Sequence, residues 1–305
     1  MLFKKTSVKK YIRNHWQLYC FISIPLIYII IFSYIPMIGI ILAFKDYRPS
    51  KGILGSPWVG ILHFKEFFSS PWCWTIIRNT LILNFYSLIA GFPIPIILAI
   101  ALNEIRDGLF KKIVQTVTFA PYFISTTVLV GLMIQFLSLN YGPINLLLKS
   151  IGLEPIDFMG TPELFPHIYV WSGIWQGAGY GALIYLAALS TIDPELYDAA
   201  KIDGANRLQK IWYIDLPGIS PTIIILLIMS LGAVMNIGFE KVYLMQNSLN
   251  LDKSEVISTY VYKVGLIDAD YSYSTAVGLF NSVVNFALLI VANGIAKKFS
   301  ETSLW

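Results

Sequence analysis

Between Arg13 and Lys45 the chain carries no charged side chain, and five further stretches share that property. They lie between Arg78 and Glu104, Lys112 and about Leu139, Glu163 and Asp193, Asp215 and Glu240, and Asp270 and Lys297. A helix needs about 20 apolar residues, at 1.5 Å rise each, to cross a hydrocarbon core roughly 30 Å thick. All six stretches are long enough. In hydrocarbon every backbone N–H and C=O must be satisfied within the protein, so such stretches fold as helices. The composition agrees: 56% of the 305 residues are hydrophobic and 13% charged, where soluble domains carry about 25% charged. The same figures exclude a soluble fold and a disordered chain. The expected fold is an all-α integral membrane protein with six transmembrane helices.

Lys4, Lys5, Lys9, Lys10 and Arg13 ahead of an apolar run imitate a secretory signal. The run exceeds a signal's apolar core and no small-residue cleavage site closes it, so the expectation is an uncleaved first span. With that end cytoplasmic, the inside segments hold 13 Lys and Arg, and the longer outside segments hold 9. This bias places both termini in the cytoplasm. The expected organisation is a basic cytoplasmic segment (1–17), a first span (18–44), an extracellular loop (45–78), a five-helix core (79–296) with a cytoplasmic loop (191–217), and a cytoplasmic tail (297–305).

Several function classes fall away. A net charge of +4, dispersed along the chain, does not suit a nucleic-acid partner. Cys20 and Cys73 make no disulfide framework, and His15, His63 and His167 make no recognisable metal site. No Walker-type loop, metalloprotease motif or nucleophile elbow occurs, and no cofactor is expected. Gly177, Gly179 and Gly181 lack dinucleotide-binding spacing and read as packing residues. The six spans hold no Asp, Glu, Lys or Arg, which leaves a proton relay without residues. Uphill transport would therefore draw its energy from another subunit. A polytopic enzyme acting on lipid or glycan would have to rest on Asp46, Glu66 and Glu240. A secondary transporter is disfavoured by the uncharged spans and by the lack of an internal repeat.

The most informative segment joins the fourth and fifth stretches. Asp193 can cap a helix with Pro194 in its first turn and Glu195 and Asp198 near its positive end. Ala199 and Ala200 keep one face small, and Gly204 bends the chain. A short amphipathic piece from Asn206 to Trp212 follows, and Pro217 opens the next span. Physically, an amphipathic linker lying on lipid headgroups and a docking element for a soluble partner fit equally. The spacing Ala199-Ala200, Gly204, Ile214, Leu216, Pro217 resembles the EAA loop of ABC importer permeases, with Asp198 where that loop usually has Glu. The resemblance implies that Asp198, Ala199, Ala200, Asp203, Gly204, Ala205, Ile214, Leu216 and Pro217 couple the chain to a cytoplasmic ATPase.

A second resemblance covers most of the chain. Tyr34-Ile35-Pro36-Met37-Ile38-Gly39, Ala43-Phe44-Lys45-Asp46-Tyr47, residues 52–60 with Phe64, Gly238-Phe239-Glu240-Lys241-Val242-Tyr243 and residues 278–285 are similar to the polysaccharide-type subgroup of carbohydrate ABC permeases. It implies the type I importer permease fold in a bacterial plasma membrane, doing no chemistry itself. It also implies a homologous second permease, two copies of a cytoplasmic ABC ATPase, an extracellular lipid-anchored solute-binding protein, and a sugar or oligosaccharide substrate.

Sugars are bound by aromatic faces and by amides or carboxylates. Trp171 and Trp175 lie one turn apart, with Gln176 and Tyr180 nearby. Met229, Ala233, Asn236 and Glu240 share one stripe of the fifth span, and Asn281 and Asn285 are one turn apart in the sixth. Amides at membrane depth prefer the bundle interior, so Asn236, Asn281 and Asn285 are the first candidates for substrate contact. Each also fits a structural role: interhelical hydrogen bonding for Asn and interfacial anchoring for Trp. Glu240 could equally pair with Lys241 or close an external gate, and Asp268, Asp270, Tyr271 and Tyr273 could face a docked binding protein.

Overall fold

The computed structural model describes residues 14–299, so Lys4, Lys5, Lys9, Lys10, Arg13 and the chain beyond Phe299 lie outside the described residues. The described chain is almost wholly helical, with no strand and one isolated antiparallel bridge between Lys45 and Trp58. The described residues form two compact units, one of residues 14–68 with Val264–Leu279, the other of Ser69–Lys263 with residues 280–299.

Four helical runs among the described residues are long and apolar enough to cross a membrane: Trp16–Phe44, Pro71–Glu104, Arg207–Gly232 and Tyr271–Ile295. The second starts eight residues before the expected boundary at residue 79. Ser70 caps it by accepting the Trp72 N–H at 3.2 Å, which puts Arg78 inside the helix. The third expected span is broken into Leu109–Phe123 and Thr126–Phe136, bent by 98°. Pro121 sits in a tight turn there, Ile124 is extended, and Ser125 starts the second piece by accepting the Val128 N–H at 3.3 Å. The fourth expected span is one 25-residue helix, Phe165–Leu189. It is uncharged, but Gly, Ser, Gln, Tyr and Trp dilute its apolar character, and it is not among the four apolar runs. Length and apolarity thus support four spans, or five with the broken pair.

In the first unit Lys45 is buried. Its Nζ donates to the Ile53 and Leu54 carbonyls at 2.8 and 3.1 Å and lies 5.0 Å from the centre of the Trp58 ring. Tyr273 is buried against Phe67, and its N–H donates to Asp270 Oδ1 at 3.0 Å. Tyr273 is thus part of the packing of this unit, while Asp268, Asp270 and Tyr271 are exposed. Asp46 pairs with Arg48 and Glu66 with His63, so these two carboxylates serve separate local contacts.

In the second unit one core gathers Leu83, Val130, Phe165, Val242 and Met245, and another Ala99, Ala182, Tyr185, Leu189 and Ile219. Gly179 has the packing role expected of it: a Cβ there would meet the Thr118 carbonyl oxygen at 2.0 Å. Only hydrogen lets these two backbones approach so closely.

Candidate functional site

The loop over residues 191–217 folds as its caps dictate. Asp193 Oδ1 accepts the Glu195 N–H at 2.9 Å and starts the helix Pro194–Ile202. Gly204 ends it in the left-handed region, φ +74°, with Ala205 N–H donating to Ala200 O at 2.9 Å and Gly204 N–H to Lys201 O at 3.1 Å. This pair of bonds is the Schellman closure, and it favours glycine at the left-handed position. A capping box between Asn206 and Gln209 then opens a second helix. That helix does not stop before Pro217. It widens at Ile211–Asp215, where Leu216 N–H reaches back to Ile211 O, and runs on to Gly232. The wider turn carries the helix past Pro217, which has no N–H to give. Arg207, Lys210 and Asp215 consequently lie in the same helix as the fifth span, which the charge pattern placed after them.

On this frame Asp198, Ala199, Asp203, Gly204 and Pro217 are exposed, and Ala200, Ala205, Ile214 and Leu216 half-buried. Asp198 pairs with Lys201 at 2.8 Å. Ile202, apolar, stands 87% exposed beside Gly204. The loop is latched by groups that sequence reasoning missed. Tyr197 donates to Asp215 Oδ1 at 2.6 Å, and Asp215 is fully buried with Oδ2 unpartnered. Lys210 donates to Glu104 Oε1 at 3.2 Å, with Arg207 3.8 Å from the other oxygen. Burial, and then the bond to Asp215, push the Tyr197 hydroxyl well above its ordinary pKa, which keeps it a donor. No periodic pattern links positions so far apart; only the fold brings them together.

Tyr197→Phe should therefore loosen the Pro194–Ile202 helix. It leaves a buried carboxylate oxygen without its donor, at a cost of about 1–3 kcal/mol. Amide hydrogen exchange over residues 194–205 should speed up severalfold and uptake should fall. Unaltered exchange would show that the hydroxyl is not a latch.

The fifth helix ends at Gly232, residues 233–238 are unwound, and Phe239–Met245 forms a new helix. The expected stripe of Met229, Ala233, Asn236 and Glu240 on one helix face is therefore not formed. The amides are nonetheless brought together. Asn281 and Asn285 each donate from Nδ2 to Asn236 Oδ1, at 3.2 and 3.1 Å, and Asn285 Oδ1 accepts the Met235 N–H at 2.8 Å. The sixth helix thus satisfies backbone that the break leaves open, the condition for irregular chain at membrane depth.

One cavity adjoins the break, and a second shares a wall with it. One, of about 420 Å³, is lined by Asn84, Ser87, Tyr185, Ser230, Ala233 and Asn236 among others. The other, of about 290 Å³, is lined by Tyr169, Gly173, Gln176, Gly177 and Lys241, and shares Ser87, Gly91 and Pro95 with the first. Trp171 and Trp175 line neither. Trp171 donates to Tyr86 Oη at 2.9 Å, Gln176 donates to the Ile124 carbonyl at 2.7 Å, and Tyr180 stacks on Tyr122 at 3.8 Å. The last two brace the broken third span. Glu240 does not pair with Lys241: it accepts from Thr127 Oγ1 at 3.1 Å, while Lys241 turns inward to the Tyr169 carbonyl at 2.9 Å. Burial lowers the Lys241 pKa to about 8.

Residues 91–301 match the family described as binding-protein-dependent transport system inner membrane component. The chain belongs to that family. It is 44% identical over 308 residues to the polygalacturonan/rhamnogalacturonan transport system permease protein YteP of Bacillus subtilis (strain 168), covering all of this chain and 96% of that one. It is 45% identical to protein LplB of the same organism, covering 96% of this chain and 92% of LplB. Among solved structures it matches a chain of a bacterial alginate ABC transporter in complex with alginate pentasaccharide-bound periplasmic protein, with TM-score 0.90 and 39% identity over 98% of this chain and 100% of that chain. The protein is an ABC transport permease of the inner membrane, a non-catalytic transport component with the importer-permease fold. Such a permease works with a partner permease, an ATPase and a solute-binding protein.

Proposed function

We propose that this permease forms half of the translocation pathway of an ATP-driven importer for an oligosaccharide or polysaccharide fragment. It is the counterpart of one homologous permease and sits above two copies of a cytoplasmic ATPase. A lipid-anchored binding protein delivers substrate from outside, where residues 45–78 lie. Phe165–Leu189 and the broken pair complete six spans, and both termini are cytoplasmic. Residues 191–217 couple the ATPase to the spans, and ATP-driven closure switches the pathway between two states of access. Asn236, Asn281 and Asn285 line the substrate's route at the break in the fifth helix, as discontinuous helices do in other transporters.

The observation that carries this reading is the loop itself: a capped helix with Ile202 exposed, latched at Tyr197, Lys210 and Arg207 to the helices that line the cavities. Relatives named for polygalacturonan/rhamnogalacturonan and for arabinooligosaccharide transport support a glycan of more than one sugar unit. The test is affinity purification of the tagged protein from membranes in mild detergent, with mass spectrometry. A second permease and an ATPase should be recovered with it, and crosslinking in intact cells should retain them if detergent strips them. Recovery of the protein alone from crosslinked cells would defeat the proposal.

A further inference from the structure

Lys241 presents a problem that the fold leaves open. Its ammonium is buried, with the residue 9% exposed, yet no carboxylate of the described residues lies within 4.0 Å. Its one hydrogen bond goes to the Tyr169 carbonyl, and it sits 4.8 Å from the centre of the Tyr169 ring. A buried charge is costly unless paired and fully hydrogen-bonded. An ammonium has three donors, so two remain unused here. Lys45, also buried without a carboxylate, is the instructive contrast: it spends two donors on loop carbonyls and lies over Trp58, a purely structural clamp. Lys241 instead faces the cavity of about 290 Å³.

Glycines form the wall of that cavity nearest the charge. Gly173 lies opposite, where even a Cβ would come within 3.2 Å of Lys241 Nζ, and a Cβ at Gly177 would meet nothing within 4 Å. Through Ser87, Gly91 and Pro95 the cavity abuts the larger one, which offers Asn84, Ser230 and Asn236. A buried cation, with a few amides and hydroxyls spaced along otherwise apolar walls, suits a ligand with one anionic group, some hydroxyls and apolar ring faces. The neighbouring acid, Glu240, is turned to Thr127 and leaves the cation to the ligand.

We propose that Lys241 is the anion-recognition residue of the pathway and takes the carboxylate of a uronic-acid unit in the transported glycan. This rests on the importer reading above and specifies its substrate class. The substrate supplies the counter-charge that the protein withholds, and the charge-assisted bond so formed is stronger than a neutral one.

The test is equilibrium binding to the detergent-purified permease–ATPase complex, using radiolabelled trigalacturonate and its carboxyl-reduced, neutral trisaccharide. Lys241→Met should weaken trigalacturonate binding about tenfold or more and leave the neutral sugar within twofold. Lys241→Arg should keep most of the preference. Gly173→Asp places an acid beside Lys241 without removing it, and should produce the same selective loss even if Lys241→Met fails to assemble. Equal losses for both sugars, or no loss, would overturn the proposal and leave the importer reading standing. An assembled wild-type complex that binds neither sugar would overturn both.

Discussion

Gly204→Trp should abolish glycan uptake while leaving the permease folded. Within the chain the substitution is tolerable: a Cβ at Gly204 meets no atom within 4 Å. The remaining internal cost is the left-handed backbone at φ +74°, about 1–2 kcal/mol for a residue with a side chain. The indole would project from the exposed surface beside Ile202, where an ATPase seated on the loop must approach closely. Co-purified ATPase should fall at least about tenfold, with permease abundance in the membrane and melting behaviour nearly unaltered. Gly204→Ala separates the two causes, because it carries the strain without the bulk and should retain most uptake. If alanine is as damaging as tryptophan, backbone strain is responsible and the docking surface lies elsewhere.

Asn285→Leu should be the most damaging single change inside the membrane. The side chain is buried and performs two tasks, accepting the Met235 N–H at 2.8 Å and donating to Asn236 Oδ1 at 3.1 Å. Leucine is similar in size but does neither, leaving an unwound backbone N–H unsatisfied at a cost of several kcal/mol in hydrocarbon. Uptake should drop to background, and the purified permease should melt at lower temperature. Asn285→Asp keeps an acceptor for Met235 and should restore part of the stability. Asn281→Leu should be milder, because Asn281 makes one bond to Asn236 at 3.2 Å and its Oδ1 has no partner. Full uptake and an unaltered melting temperature in Asn285→Leu would show that the break is held by other groups.

How far the residues foretold the structure depended on the range of the interaction. Asp193, Pro194 and Gly204 act on chain within three or four positions, so the Pro194–Ile202 helix and its ends are legible in the sequence. The break after Gly232 was not. Apolar periodicity continues through it, and its stability comes from Asn285, 50 positions away. The bend in the third span behaves likewise: Pro121 hints at a turn, while the Gln176 amide that satisfies Ile124 comes from another helix. Glu240 and Lys241 are adjacent and opposite in charge, which suggests a pair, but consecutive helical residues point in different directions. One meets Thr127 and the other Tyr169.

The sequence by itself determined that this chain is a helical membrane protein with a capped helical loop at residues 191–217, because apolar length and capping chemistry are local properties. It also carried the spacing by which the family resemblance was seen. Tertiary structure alone decided where helices break, which amides converge, and which charges are buried. Each of those outcomes depends on distant segments supplying a hydrogen bond, or withholding one, and a one-dimensional pattern does not record such partners.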